Sequence, residues 1–132
     1  MEQNIANISI LVRDYDEAIA FYTEKLNFEL IEDSKLSETK RWVLVKPRGE
    51  GKCCLLLAKA AEEEQEKFIG NQSGGRVFLF LHTESFDRDY KNLIKKDIKI
   101  VREPSEESYG KVAVFMDLYG NKWDLVERRN DG

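Results

Sequence analysis

The chain has a single histidine, His82. Imidazole titrates near neutral pH, so His82 is the first candidate for a catalytic acid or base. Phe78 and Phe80 precede it at strand spacing, and alternation puts Phe78, Phe80 and His82 on one face. Asp124 and Glu127 lie in the last strand pattern, and alternation puts Glu127 on the face opposite Asp124. A Zn, Ni, Mn or Fe site needs three or four convergent ligands. If a divalent metal is held, His82 and Asp124 are its candidate ligands. No full set is in sight, so neither a metal nor another cofactor is expected. With one histidine, and none directly beside Ser9 or Ser85, a Ser-His-Asp triad is not expected either. Gly70 and Gly74-Gly75 lack the Gly-Lys-Ser/Thr of a phosphate loop. Cys53 and Cys54 are adjacent in a strand pattern, so they point to opposite faces and a bond between them would be strained.

The remaining residues that invite chemistry suit a flat organic ligand. Trp42, Phe78, Phe80, Phe115 and Trp123 supply aromatic surface, with Asn7, Arg41, His82 and Asp124 as polar anchors. Small-molecule pockets combine these two ingredients. Tyr109 and Tyr119 lie in turn patterns and would edge such a site. The competing assignment is that strand aromatics pack a core against helices, which is expected for more than half of the five.

These residues are carried by one structural sentence written twice. Ile5 to Val12 reads as a strand, Arg13-Asp14-Tyr15-Asp16 as a turn, and Glu17 to Leu26 as a helix. Val77 to Leu81 reads as a strand, Thr83 to Asp87 as a turn, and Arg88 to Lys96 as a helix. Tyr15-Asp16 and Phe86-Asp87 are equivalent, which sets the repeat offset at 71 residues (87 − 16). Asp14 or Asp16 can cap the first helix, whose apolar face is Ala18, Phe21, Tyr22 and Leu26, and Asn27 can end it in a left-handed turn. The second helix carries Phe86, Tyr90, Leu93 and Ile94 at helical spacing. Three strand patterns follow each helix. The first set is 28–32, 42–45 and 53–58, with a loop at 33–39 and a turn at 47–51. The second set is 98–102, stopped by Pro104, then 111–116 and 122–127, with a loop at 105–110 and a hairpin turn at 117–121. Residues 59–68 are helix formers, and 70–75 form a flexible hinge. A polar tail runs from Arg128. The expected fold is therefore α+β: two βαβββ modules, about 1–60 and 76–128, joined by a linker at about 61–75 within a single 1–132 domain.

Val12-Arg13-Asp14, Ala18-Ile19-Ala20-Phe21-Tyr22 and Leu26-Asn27-Phe28-Glu29-Leu30 resemble the vicinal oxygen chelate superfamily of glyoxalase I, extradiol dioxygenases, fosfomycin resistance enzymes and bleomycin-binding proteins. The segment Asp117 to Leu125 resembles the family's C-terminal hairpin. The resemblance implies that the two modules curve into an eight-stranded cup, and that dimers are common. In the enzymes it implies a divalent metal held from four inward positions. Here those positions carry Asn7, then Cys54 or Leu56, then Phe78 (7 + 71) and Asp124. Only Asp124 is a sound ligand. The resemblance thus favours a small-molecule-binding protein of the glyoxalase/bleomycin-resistance type. The alternative is a metal-dependent lyase or dioxygenase with a nonstandard ligand set.

Composition sets the outer bounds. At 132 residues with 42% hydrophobic residues, the chain can bury a real core. A net charge of −4 without a concentrated basic patch argues against nucleic acid as a partner. Lys95-Lys96 closes a helix, where cations suit the macrodipole. No segment approaches the ~20 apolar residues of a membrane span. Met1-Glu2-Gln3-Asn4 lacks the basic and apolar regions of a signal peptide. The expected setting is a reducing cytosol, and the expected partners are a small organic ligand and a second copy of the chain.

Overall fold

In a computed structural model of the chain, residues 1–129 are described. The end of the expected polar tail, 130–132, lies outside them. The chain divides into two compact units, the first Met1–Ile69 and the second beginning at Gly70. Each contains one βαβββ module.

In the first unit, β1 (Asn7–Val12) leads into α1 (Tyr15–Ala20). Asp14 caps the helix by accepting a hydrogen bond from Glu17 N at 2.8 Å. The helix widens into a π turn over Phe21–Lys25, and Asn27 ends it with φ of 61°, as its short polar side chain allows. β2 (Glu29–Lys35), β3 (Arg41–Lys46) and β4 (Cys54–Lys59) complete a sheet of order β1-β4-β3-β2. β1 pairs parallel with β4, and the other pairs are antiparallel. Ile10, Val12, Val43, Val45 and Leu57 are fully buried on one face, as are Ala18 and Tyr22 of the helical segment. The expected strand at 28–32 is longer than its apolar run, because β2 continues pairing through Lys35 opposite Arg41. The expected helix over 59–68 is only one turn, α2 (Glu63–Glu66), since β4 runs on to Lys59.

In the second unit, β5 (Val77–His82) leads into α3 (Phe86–Lys95). β6 (Ile100–Glu107), β7 (Gly110–Met116) and β8 (Lys122–Arg128) complete a sheet of order β5-β8-β7-β6. Pro104 does not stop β6. The strand lies at the sheet edge, and its register with β7 shifts between Arg102 and Ser105. At such a place a residue without an N–H removes no ladder hydrogen bond. Phe86 and Leu93 of α3 are buried, whereas Ile94 is exposed.

The hinge begins with a close fit. Gly70 has φ of +76°, and a Cβ there would lie 1.8 Å from the Tyr119 carbonyl oxygen. Among the described residues no helix is long and apolar enough to cross a membrane. The architecture is the α+β fold of two βαβββ modules that the repeat predicts.

Candidate ligand-binding site

Strand alternation gives each sheet a face under its helix and a helix-free face. In the second sheet the helix side is fixed by Phe86, whose backbone N–H donates to Glu127 at 2.7 Å and whose ring lies under Lys111 Nζ at 5.2 Å. Lys111 and Glu127 are register partners in β7 and β8. Two and four residues along the ladder, Ala113 pairs with Leu125 and Phe115 with Trp123 on that same side. Phe115 and Trp123 are almost fully buried there and stack with centroids 5.9 Å apart.

Asp124 therefore faces the other way, opposite Val114 and beside Phe80. His82 and Val126 follow on that helix-free face, with Val112 next to Val126. Arg102 joins the face as the partner of Val114. The valines are buried, while Phe80 is 64% exposed and His82 and Arg102 are exposed. The Asp124 carboxylate is half-buried, and its Oδ1 is buried without a hydrogen-bond partner. Burial pushes its carboxyl above the ordinary range, against the positive influence of Arg102 and His82. Desolvation prevails because no donor satisfies the charged form.

The expected site residues are sorted by this geometry. Phe80 and His82 share a face and Glu127 is on the face opposite Asp124, as alternation predicts, and the pairing of β5 with β8 brings Asp124 onto the Phe80 face. Phe78 falls at a register shift between Val77 and Leu79, so alternation does not place it. Phe115 and Trp123, expected beside Asp124, are instead core under the helix; Trp123 is Asp124's neighbour in the strand and must face away from it. Arg41, expected as a pocket anchor, also belongs to the helix side. Its Nε and Nη2 donate to Asp33 at 3.1 and 2.7 Å, and its Nη1 donates to Asp16 at 2.9 Å. Its guanidinium lies 5.1 Å from the Tyr15 ring centroid. Asn7 and Trp42 lie on the helix-free face of the first sheet, with Leu44, Cys54 and Leu56. Asn7 is exposed and Trp42 half-buried. Tyr109 is 53% exposed in the β6–β7 turn, where its carbonyl accepts from Arg129 N. Cys53 is exposed and Cys54 buried, both as free thiols.

Arg102 was missed by sequence reading. A bulge between Ile100 and Arg102 puts two residues of like parity on opposite faces, and no residue pattern announces it.

The donor set does not fit a divalent metal. Among the described residues no three of His, Cys, Asp and Glu are grouped to hold one. His82 and Asp124 share a face, but Glu127 is turned away to Phe86.

A family model for the glyoxalase/bleomycin resistance protein/dioxygenase superfamily matches residues 4–125. The chain belongs to this superfamily. It is 57% identical over 128 residues to an uncharacterized protein of Shewanella frigidimarina, covering 96% of this chain and 95% of that one. Among solved structures, UcmS2 is similar with a TM-score of 0.83 and 32% identity over 96% of this chain and 99% of that chain. TnmS3, an antibiotic binding protein from Streptomyces sp. CB03234, is similar with a TM-score of 0.78 and 25% identity over 97% and 98%. Superfamily membership shows the fold and leaves the chemistry to the site, because this fold carries many functions.

Proposed function

We propose that this protein binds a small organic molecule on the helix-free face of its second sheet, without a full metal site. The observation that carries this reading is the unpartnered Asp124 Oδ1, buried on a face that also presents Phe80. A buried carboxylate oxygen without a donor is costly, and a ligand N–H or O–H placed there removes the cost. Phe80 offers an aromatic surface to the same ligand, and His82 and Arg102 offer polar groups at its margin. TnmS3 is an antibiotic binding protein, and its likeness to this chain supports the same class of role. Asn7, Leu56 and Phe78 at the positions where the enzymes hold metal weigh against the lyase or dioxygenase reading.

The working form is a homodimer in a reducing cytosol. Each sheet ends on two edge strands that a second copy can cover, and both thiols are free. Light scattering at micromolar concentration should give twice the monomer mass.

The binding test is a thermal-shift screen of planar aromatic and cationic compounds, followed by titration. Phe80→Ala and Asp124→Asn should each lower affinity about tenfold while the protein stays folded, because Phe80 is exposed and contributes little to the core. A stabilising ligand whose affinity ignores both substitutions would place binding elsewhere.

A further inference from the structure

The first unit carries a concave feature on the helix side of its sheet. It is a cleft of about 530 Å³ between the start of α1 and the β2–β3 hairpin, reaching the end of β4. Four cations line it, Lys35, Lys40, Arg41 and Lys59, with the carboxylates Asp14, Asp33 and Glu38. Most of these charges are engaged. Asp33 and Asp16 hold the Arg41 guanidinium, Lys35 pairs with Glu38 at 3.3 Å, and Asp14 caps α1. The ammonium groups of Lys40 and Lys59 have no partner among the described residues. Beside them, the Tyr15 hydroxyl accepts from Arg41 N at 3.2 Å, and no described residue accepts its proton.

The duplicated module provides an internal control. The residue equivalent to Tyr15 is Phe86, which is buried as fully and lies under a cation at nearly the same distance. A ring alone therefore satisfies the packing, and the hydroxyl is particular to the first unit. The hairpin is also held firmly at this end of the sheet: Ser37 Oγ accepts from Lys40 N at 3.1 Å, and Lys40 O accepts from Leu36 N and Ser37 N. A fixed wall with two ammonium groups that make no ion pair among the described residues, and a spare hydroxyl donor, is suited to an anion.

We propose that this cleft binds the oxyanion group of a small polar molecule, a carboxylate or a phosphoryl group, between Lys40 and Lys59. Its charged lining sets it apart from the face that presents Phe80 and Asp124. The two sites lie in different units, and neither depends on the other.

The test is an amide-resolved NMR titration of the whole chain at pH 7 and constant ionic strength, with inorganic phosphate in one arm and acetate in the other. Saturable shifts at residues 37–40 and at Lys59 are expected in at least one arm, at millimolar anion. Saturation by phosphate alone assigns a phosphoryl group, and saturation by acetate assigns a carboxylate. The double variant Lys40→Ala/Lys59→Ala should weaken binding at least tenfold, and the exposed control pair Lys52→Ala/Lys99→Ala should leave it unchanged. Shifts that fail to saturate in both arms, that spread over the lysines of both units, or that persist in the Lys40/Lys59 variant overturn the proposal.

Discussion

At the start of α1 an arginine lies over a tyrosine; at the start of α3 a lysine lies over a phenylalanine. The distances agree, 5.1 Å for Arg41 over Tyr15 and 5.2 Å for Lys111 over Phe86. Each cation also pairs at 2.9 Å with the aspartate that follows the aromatic, Asp16 or Asp87. Here the duplication has preserved a device: a charge from one strand pins the first turn of the helix that covers the sheet. The partners differ. The planar guanidinium reaches two carboxylates at once, with a fork of two bonds to Asp33, whereas the ammonium of Lys111 makes one such bond. The hairpin turns differ more. After β7, Asp117 Oδ1 accepts the N–H groups of Tyr119, Gly120 and Asn121, and its Oδ2 accepts from Asn121 Nδ2 and Trp123 Nε1. Asn121 Oδ1 in turn accepts Gln72 N at 3.1 Å, tying the 70–75 segment to the hairpin. After β3, the corresponding turn has Lys46 Nζ donating to the carbonyls of Pro47 and Gly49, an exposed ion pair from Arg48 to Glu29 at 3.5 Å and a Cys54 Sγ contact to the Lys52 carbonyl, none of it a buried carboxylate gathering donors. The helix anchors are thus shared, while the buried polar knot belongs to the second unit alone.

The largest expected effect tests that contrast between turns. Asp117 is 5% exposed, so Asp117→Ala leaves several buried donors unsatisfied and should cost about 3–5 kcal/mol. Lys46→Ala removes two hydrogen bonds near the surface and should cost less than about 1 kcal/mol. Denaturant unfolding of the two variants checks both values. Equal losses would mean that the two turns do the same work.

A smaller effect separates the two clamps. Arg41→Ala should cost about 1–2 kcal/mol, from partly exposed charge-assisted bonds and the contact with the Tyr15 ring. Arg41→Lys should recover only part of this, because a point charge cannot reproduce the fork to Asp33. Lys111→Ala should lower the melting temperature less than Arg41→Ala does. The pH dependence has a definite sign. The bonds from Arg41 hold the Asp33 carboxyl below its ordinary value. Its contribution is therefore complete above the unfolded carboxylate pKa, near 3.9, and is lost as pH falls through the lower folded value. Melting temperatures from pH 7 to pH 2 should show a shallower acid decline in Asp33→Asn than in wild type. An Asp33→Asn curve parallel to wild type would remove the fork from the account.

The repeat, a helix cap at Asp14 or Asp16 and the turn at Asn27 were legible because each is a local pattern with a local cause. Strand alternation also placed Phe80 with His82, and Glu127 away from Asp124, while Asp124 itself came from the resemblance of the C-terminal hairpin. The same alternation requires Trp123, next to Asp124, to take the opposite face, where it packs as core. What could not be read depended on partners distant in sequence. β2 extends past its apolar run where Lys35 pairs with Arg41 and the Arg41 guanidinium reaches back to Asp33, and Pro104 is tolerated because β6 is an edge. Arg102 reaches the Asp124 face only through a bulge. Arg41 looked like a pocket anchor because its two carboxylate partners, 8 and 25 residues away, leave no mark in its own segment.

The smallest expected effect contrasts Asp33 with Asp124, two carboxylates shifted in opposite directions. Asp33 is satisfied and held down; Asp124 is desolvated, with one oxygen unpartnered, and pushed up. For a carboxyl raised on folding, the unfolded chain releases its proton first as pH rises. Stability is then greatest below the unfolded pKa and declines until pH passes the folded value. At neutral pH the ionised Asp124 is therefore a net cost, reduced by its partial exposure and by the charge of Arg102. Asp124→Asn should raise stability at pH 7 by less than about 1 kcal/mol, and the gain should fade as pH is lowered towards 3. The same substitution should weaken ligand binding, so stability and affinity should move in opposite directions. If Asp124→Asn instead destabilises the protein at pH 7, then Asp124 serves the fold as Asp33 does, and the unpartnered oxygen is no longer a reason to seek a ligand there.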